Sequence, residues 1–292
     1  MKATHIITLV GLLTVSIAEA NDDFASVAIK STAIAPSIYM LEGAGGNITA
    51  LVGEDGAFLV DDDFEEMAGK LVAKLRELKG DAPRFIVNTH FHYDHTGGNK
   101  VFGAKATIIA STGVRNRLMS EQTLWKQQHP AFPPQALPTL TFDKEITLHL
   151  NGEDIRIVHF PRSHTDGDTV VFFNKGKIIS LGDLYFAGMY PIFHPEHAGT
   201  LEGYVQNLRT VLRETPEDGK IVPGHGPLSN KSELELYISM IEASIDTVRR
   251  GVAKGRSLED IQKDGLDKKW ESYSHGYVST DRWIAMIYNE CD

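Results

Sequence analysis

Residues 88–99 read NTHFHYDHTGGN, which places His90, His92, Asp94 and His95 within six positions. His90 and His92 are two apart at the end of the apolar run RFIVNTH (84–90), a predicted buried strand. Alternate residues of an extended chain face the same way, so both imidazoles can reach one ion. Asp94 and His95 follow at once and offer a second ligand set a few ångströms away. The glycines of Thr96-Gly97-Gly98-Asn99 are expected to let the backbone turn tightly beside the metals. Nitrogen and carboxylate ligands of this kind suit zinc, and to a lesser degree iron or manganese. One ion needs about four ligands, and later strand ends supply further candidates: His164 in RSHTDGD, Asp183 in SLGDLYF and His225 in VPGHGP. Each sits where a strand hands over to a loop, the usual place for ligand sites in α/β folds. Most of the other histidines read as structural or exposed: His149 and His159 lie inside strand patterns and His129 in a Pro-rich loop.

Working outward, GGNITALVGEDGAFLVDD (45–62) reads as two strands joined by a Gly/Asp turn, preceded by a polar lead from Asn21 to about Ala35. DFEEMAGKLVAKLRELKG (63–80) has acids in its first turn, an apolar stripe at Leu71, Val72, Leu75 and Leu78, and Gly80 as a stop, which predicts a helix. A short strand at ATIIA (106–110) and a helix from about Gly113 to Gln128 should follow. HPAFPPQALPTL (129–140), with four prolines, is expected to be an irregular surface loop. ITLHL, IRIVHF, TVVFF and KIISL are strands, and from Leu201 helices dominate, interrupted by the strand and Gly loop of KIVPGHG. Strand-rich blocks alternating with helices predict an α/β fold with two sheets rather than one doubly wound sheet.

The 292 residues carry a formal charge of −10, 42% hydrophobic and 23% charged side chains, an ordinary globular composition. The acidic balance argues against nucleic acid or an anionic membrane as partner. Residues 1–20, with Lys2, an apolar run from Ile6 to about Ile17 and Ala18-Glu19-Ala20, read as a signal peptide cleaved after Ala20, leaving 21–292 as one domain, periplasmic or secreted. No later window is apolar enough to span a membrane. Cys291 is the only cysteine, so no intramolecular disulfide is available and stability falls to a core, a metal, or both.

The order H-x-H-x-D-H (90–95), then His164, Asp183 and the Gly-His-Gly of residues 224–226, resembles the metallo-β-lactamase-fold superfamily of hydrolases, over a span from about Ile48 to Gly226. The resemblance implies a four-layer αβ/βα sandwich, two mixed sheets flanked by helices, with two Zn2+ per chain in a shallow groove at one edge. By position, one zinc would be held by His90, His92 and His164, the other by Asp94, His95 and His225, with Asp183 bridging. Asp61 matches an early strand-end aspartate that orients ligands, although a helix-capping acid within DDD reads nearly as well. Two dications sharing a water would lower its pKa from about 15.7 toward about 7 and so provide a hydroxide to attack a carbonyl. Asp94 would orient that nucleophile and pass a proton.

The implied activity is hydrolysis of a small-molecule carbonyl substrate, with a β-lactam amide first and a lactone or thioester second. Two features depart from the commonest lactamase subclass: Asp183 stands where that subclass has cysteine, and Phe186 where it has a substrate-gripping lysine. A di-iron oxidoreductase and a non-catalytic metal-binding protein are the readings from other classes. Substrate contacts are expected from EGAGGN (42–47), HPAFPP (129–134) and YFAGMYPIFHPEH (185–197), where Tyr185, Tyr190, His194 and His197 read first as packing or exposed residues. The C-terminal helices with Trp270 and Trp283 should cover the core or form a contact between copies.

Overall fold

The computed structural model describes residues 24–124 and 127–291. The expected signal segment therefore lies outside the described residues. The chain opens with an antiparallel meander, β1 (Lys30–Ala35), β2 (Ile38–Glu42), β3 (Ile48–Leu51) and β4 (Ala57–Val60). A short 3-10 turn leads into α1 (Ala68–Glu77), and β5 (Pro83–Val87) then runs parallel to β4. After the single turns α2 (Tyr93–Thr96) and α3 (Asn99–Phe102) come β6 (Thr107–Ser111) and α4 (Thr112–Leu118). A hairpin of β7 (Gln122–Leu124) and β8 (Gln127–His129) follows, and β9 (Leu140–Phe142) completes a seven-stranded sheet in the order β1-β2-β3-β4-β5-β6-β9.

The second sheet has six strands in chain order: β10 (Glu145–Leu150), β11 (Glu153–His159), β12 (Thr169–Phe173), β13 (Ile178–Ser180), β14 (Lys220–Val222) and β15 (Ser229–Asn230). Between β13 and β14 lies α5 (Leu201–Glu214), the crossover that makes this pair parallel; α6 (Lys231–Ala253), α7 (Leu258–Asp264) and α8 (Thr280–Asn289) close the chain. None of the described helices is long and apolar enough to cross a membrane.

Alternation along the strands sorts the core into layers. Phe58, Val60 and Val87 of the first sheet meet Ile155, Ile157, Val171 and Phe173 of the second in the central layer. The opposite face of the first sheet, with Leu59 and Ile86, is covered by Leu71 and Leu75 of α1. The opposite face of the second, with Val170 and Phe172, is covered by Leu208 of α5, Ile241 of α6 and Trp283 of α8. The fold is the expected four-layer αβ/βα sandwich. Trp270 and Trp283 do cover the core, as one of the two expectations for them held.

Three local expectations are corrected. The polar lead contains β1, whose residues are mostly exposed with only Ile34 buried; an edge strand with one inward side chain leaves almost no apolar alternation to read. The helix expected over 113–128 stops at Leu118, because the Leu118 carbonyl is taken by the Phe132 amide (2.8 Å) and Gln122 donates to the Arg117 carbonyl (2.9 Å), turning the chain back. That reversal buries Leu124 with Leu118, Val114 and Phe132, which a continued helix would not. The Pro-rich stretch is irregular, yet Phe132, Ala136 and Leu137 are buried and Pro134–Ala136 forms a 3-10 turn, so it is a packed segment rather than a surface loop.

The two sheets are tied at the edge where their strand ends converge. Asn47 accepts no apolar role there: its amide donates to the Gly224 carbonyl (2.7 Å), and its side-chain Nδ2 donates to Pro223 (3.0 Å) and Gly226 (2.9 Å). Asn47→Ala keeps the backbone bond to Gly224 but should leave the Pro223 and Gly226 carbonyls without this donor and cost about 1–3 kcal/mol of stability. Urea unfolding of the variant would measure it.

Candidate metal centre

The seven residues singled out from the sequence come together at that edge, all buried except the half-buried Asp94. His90 and His92 lie just beyond the end of β5, and His92 opens the α2 turn that carries Asp94 and His95. His164 lies in the loop before β12, Asp183 in the 3-10 turn after β13, and His225 in the loop after β14. Gly97 and Gly98 do not supply the expected unusual turn, since both are helical in φ. They supply space: a Cβ on Gly97 would lie 2.7 Å from the Glu65 nitrogen, and one on Gly98 2.5 Å from the Asp62 carbonyl. The turn is therefore pressed against the backbone after β4.

Two ligand sets result. In the first, His92 Nδ1 is 3.0 Å from His90 Nε2 and 3.1 Å from His164 Nε2, and Asp183 Oδ2 lies 3.3 Å from His164 Nε2 and 3.7 Å from His90 Nε2. In the second, His95 Nε2 is 3.4 Å from Asp94 Oδ2 and 3.3 Å from His225 Nε2, while His225 Nε2 is 3.2 Å from Asp94 Oδ2. Asp183 Oδ1 completes this set at 3.1 Å from His95 Nε2 and 3.4 Å from His225 Nε2. Tetrahedral zinc with bonds of about 2.0 Å requires donor atoms about 3.3 Å apart. Both sets meet that spacing, and Asp183 gives one oxygen to each.

The hydrogen-bond partners of the ring nitrogens set the direction of the lone pairs. Asp61, fully buried, accepts from the Thr89 amide (2.7 Å), the Thr89 hydroxyl (2.8 Å) and His95 Nδ1 (2.8 Å). The Thr89 hydroxyl, its own proton spent on Asp61, accepts from His90 Nδ1 (3.0 Å), and His164 Nδ1 donates to the Ile192 carbonyl (2.8 Å). Each ring proton placed on Nδ1 leaves Nε2 of His90, His95 and His164 with a lone pair aimed at the other donors. Asp61 is thus the orienting carboxylate, not a helix cap.

Burial, reinforced by neighbouring imidazoles, pushes His90 and His92 well below the usual histidine range. Burial lowers His164 to about 4. Burial would depress His95 too, but Asp94, Asp183 and Asp61 surround it and hold it well above that range. Neutral His90, His92 and His164 beside carboxylates that draw a proton onto His95 form a crowded, buried donor set in which a dication can take that proton's place. The His/Asp clusters fit a dinuclear metal site.

Above the second set opens a groove of about 430 Å³ lined by Phe24, Phe64, Phe186, Ile192 and Tyr277, with Asp94, Asp183 and His225 at its floor and Arg282 at its rim. Of the segments expected to meet substrate, Ala44 and Gly45 of EGAGGN and Phe186 and Ile192 of the 185–197 stretch line it, but no residue of HPAFPP does. Tyr185 and Tyr190 are packing residues, bonded to Ser229 and to the Trp270 carbonyl. Tyr277, whose hydroxyl meets His225 Nδ1 at 3.2 Å, and Arg282 were not found from the sequence. Tyr277 lies between a C-terminal 3-10 turn (Lys268–His275) and α8, and Arg282 in the first turn of α8, with no motif to mark them.

A family profile described as the metallo-beta-lactamase superfamily matches residues 41–233. The chain is 31% identical over 159 residues to the hydroxyacylglutathione hydrolase of Pelagibacter ubique (strain HTCC1062), a match covering 53% of this chain and 57% of that enzyme. Among solved structures it is similar to the inverting sec-alkylsulfatase from Pseudomonas sp., with a TM-score of 0.71, 15% identity, and coverage of 89% of this chain and 50% of that one. It is also similar to a metallo-beta-lactamase from Pontibacter korlensis, with a TM-score of 0.60, 18% identity, and coverage of 73% and 99%. At these identities the solved structures speak for the fold.

Asp61→Ala keeps every ligand residue and should weaken metal binding roughly 10–100-fold through misoriented His95 and Thr89. Competition with a chromophoric chelator would measure the shift. Wild-type affinity would show that Asp61 does not position the centre.

Proposed function

Because the chain belongs to the metallo-beta-lactamase superfamily, we propose that it is a two-zinc hydrolase that opens a carbonyl-containing bond in a small, singly anionic substrate, with a β-lactam amide as the leading candidate. The observation that carries this reading is Asp183, which faces one ligand set with each oxygen at the floor of the groove. Two ions held there would supply a hydroxide at neutral pH and polarise the substrate carbonyl.

The chain's own residues do the remainder. Burial would raise Asp94, but His95 and His225 hold its carboxylate well below the ordinary range. An ionised Asp94 at the groove floor can orient the attacking group and take its proton toward the leaving atom. The aromatic walls exclude water from the reacting bond and pack against an apolar substrate body. Arg282 is the one lysine or arginine lining the groove, and it has no ion-pair partner among the described residues. It can take the anchoring role that Phe186 cannot, and a single cation suits one carboxylate better than the several phosphates of a coenzyme A thioester.

A second reading, cleavage of a small thioester, is favoured by the Pelagibacter relative and by the all-His/Asp ligand set without cysteine. The export signal read in residues 1–20 supports periplasmic or extracellular action, where β-lactams are met.

On a panel of cephalosporins, penicillins, carbapenems, lactones and thioesters, the zinc-loaded protein should hydrolyse a chromogenic cephalosporin, lose that activity on chelation and regain it with zinc. His90→Ala should lose metal and nearly all turnover; wild-type turnover in that variant would sink the assignment. Arg282→Ala should raise KM for carboxylate-bearing substrates about 10–100-fold, as expected for one charge-assisted hydrogen bond, with kcat little changed. An equal effect on neutral esters would refute the anchoring role.

A further inference from the structure

A second histidine cluster adjoins the first ligand set and takes no part in it. His194, Glu196 and His197 lie in one loop, their ligand-capable atoms all within 4.8 Å of one another. His194 Nδ1 is 2.9 Å from Glu196 Oε1, a separation at which two donors can share one ion. His197 is 5% exposed, and its Nδ1 is buried without a hydrogen-bond partner among the described residues. A buried imidazole nitrogen left unpaired costs free energy unless something binds it.

The loop is built rather than loose. The His194 carbonyl accepts from the amides of His197 and Gly199, both at 2.9 Å, which folds the 3-10 turn Pro195–His197 and puts the two histidines on one side of it. The His194 amide donates to the His164 carbonyl at 3.0 Å, fastening this turn to the first ligand set. The Glu196 side chain is 61% exposed, so an ion could enter from solvent and keep water in its remaining positions.

We infer that His194, Glu196 and His197 form a third binding site for a divalent cation, of the nitrogen-and-oxygen donor type that zinc prefers. The ring centroid of His194 is 5.1 Å from that of His92, so an ion here sits beside an already charged centre. Mutual repulsion and a largely aqueous coordination make it the weakest of the three sites and the last to fill.

The test is zinc stoichiometry, independent of any substrate. Chelator-stripped protein is dialysed to equilibrium against increasing free zinc, and bound metal is counted by elemental analysis. Wild type should bind two ions tightly and a third at higher zinc. Glu196→Gln, an exposed change, and His197→Phe should each bind two, with cephalosporin hydrolysis and thermal midpoint near wild type. His90→Ala should lose the tight ions and keep the weak one, which separates this site from the dinuclear centre. A wild type that saturates at two ions, or variants that both retain the third, would overturn the proposal.

Discussion

Asp183 is the constraint on which the rest of the arrangement depends. Its two oxygens face different imidazole sets at 3.1–3.7 Å, so the carboxylate has to stand between the ends of two sheets that are separate hydrogen-bonded units. The first sheet contributes His90, His92, Asp94 and His95 beyond β5, and the second contributes His164, Asp183 and His225 beyond or before its own strands. Any relative slip of the sheets would separate donors that must converge to within a fraction of an ångström. The central apolar layer fixes their spacing, but it is non-directional. The polar ties at the edge fix the register, and Asn47 is the one that reaches from the first sheet to the loop holding His225.

The same economy of space governs the loops. A Cβ on Gly224 would lie 2.1 Å from Asp183 Oδ1, so the residue before His225 must be glycine for the bridging carboxylate to sit where it does. The loop before β12 is locked differently. Asp168 accepts from the Thr165 amide (2.8 Å) and hydroxyl (2.7 Å), closing a small ring of bonds next to His164. Burial raises Asp168 to about 8, and its bonds to Thr165 hold the loop beside His164. Asp61 and Asp168 are both buried acids near the centre, yet only Asp61 touches a ligand ring, and geometry alone distinguishes them.

What the sequence revealed follows from how chemistry is written into it. Ligands cluster because one ion needs several donors, so NTHFHYDHTGGN, His164, Asp183 and His225 were legible as strand-end residues; β10 was legible by alternation because one of its faces is exposed, and β12 and β13 as apolar runs because both of theirs are buried. β1 was not, since an edge strand needs only Ile34 to face inward. The end of α4 was not, because it is set by a carbonyl that Phe132 takes from 14 residues away in sequence. The glycines at 97 and 98 were read for their torsional freedom when their missing side chains were the point. Tyr277 and Arg282 escaped because a groove wall is assembled by tertiary packing of α8 and the turn before it, and no local period records that.

That division has a chemical consequence. The metal ligands come from loops between sheet strands and reach no further than His225, whereas Arg282 and Tyr277 come from the C-terminal helical layer. The groove wall thus has two sources: Phe64, Phe186 and Ile192 belong to the loops beside the ligand sets, whereas Tyr277 and Arg282 can change without altering those loops. Tyr277 is the point of contact between them, because the residue that walls the groove also holds His225 Nδ1 at 3.2 Å. On the proposed reading, a group that displaced the Tyr277 ring would remove the hydrogen bond that orients His225, so the apolar part of the groove and the second ligand set would be coupled through that one contact.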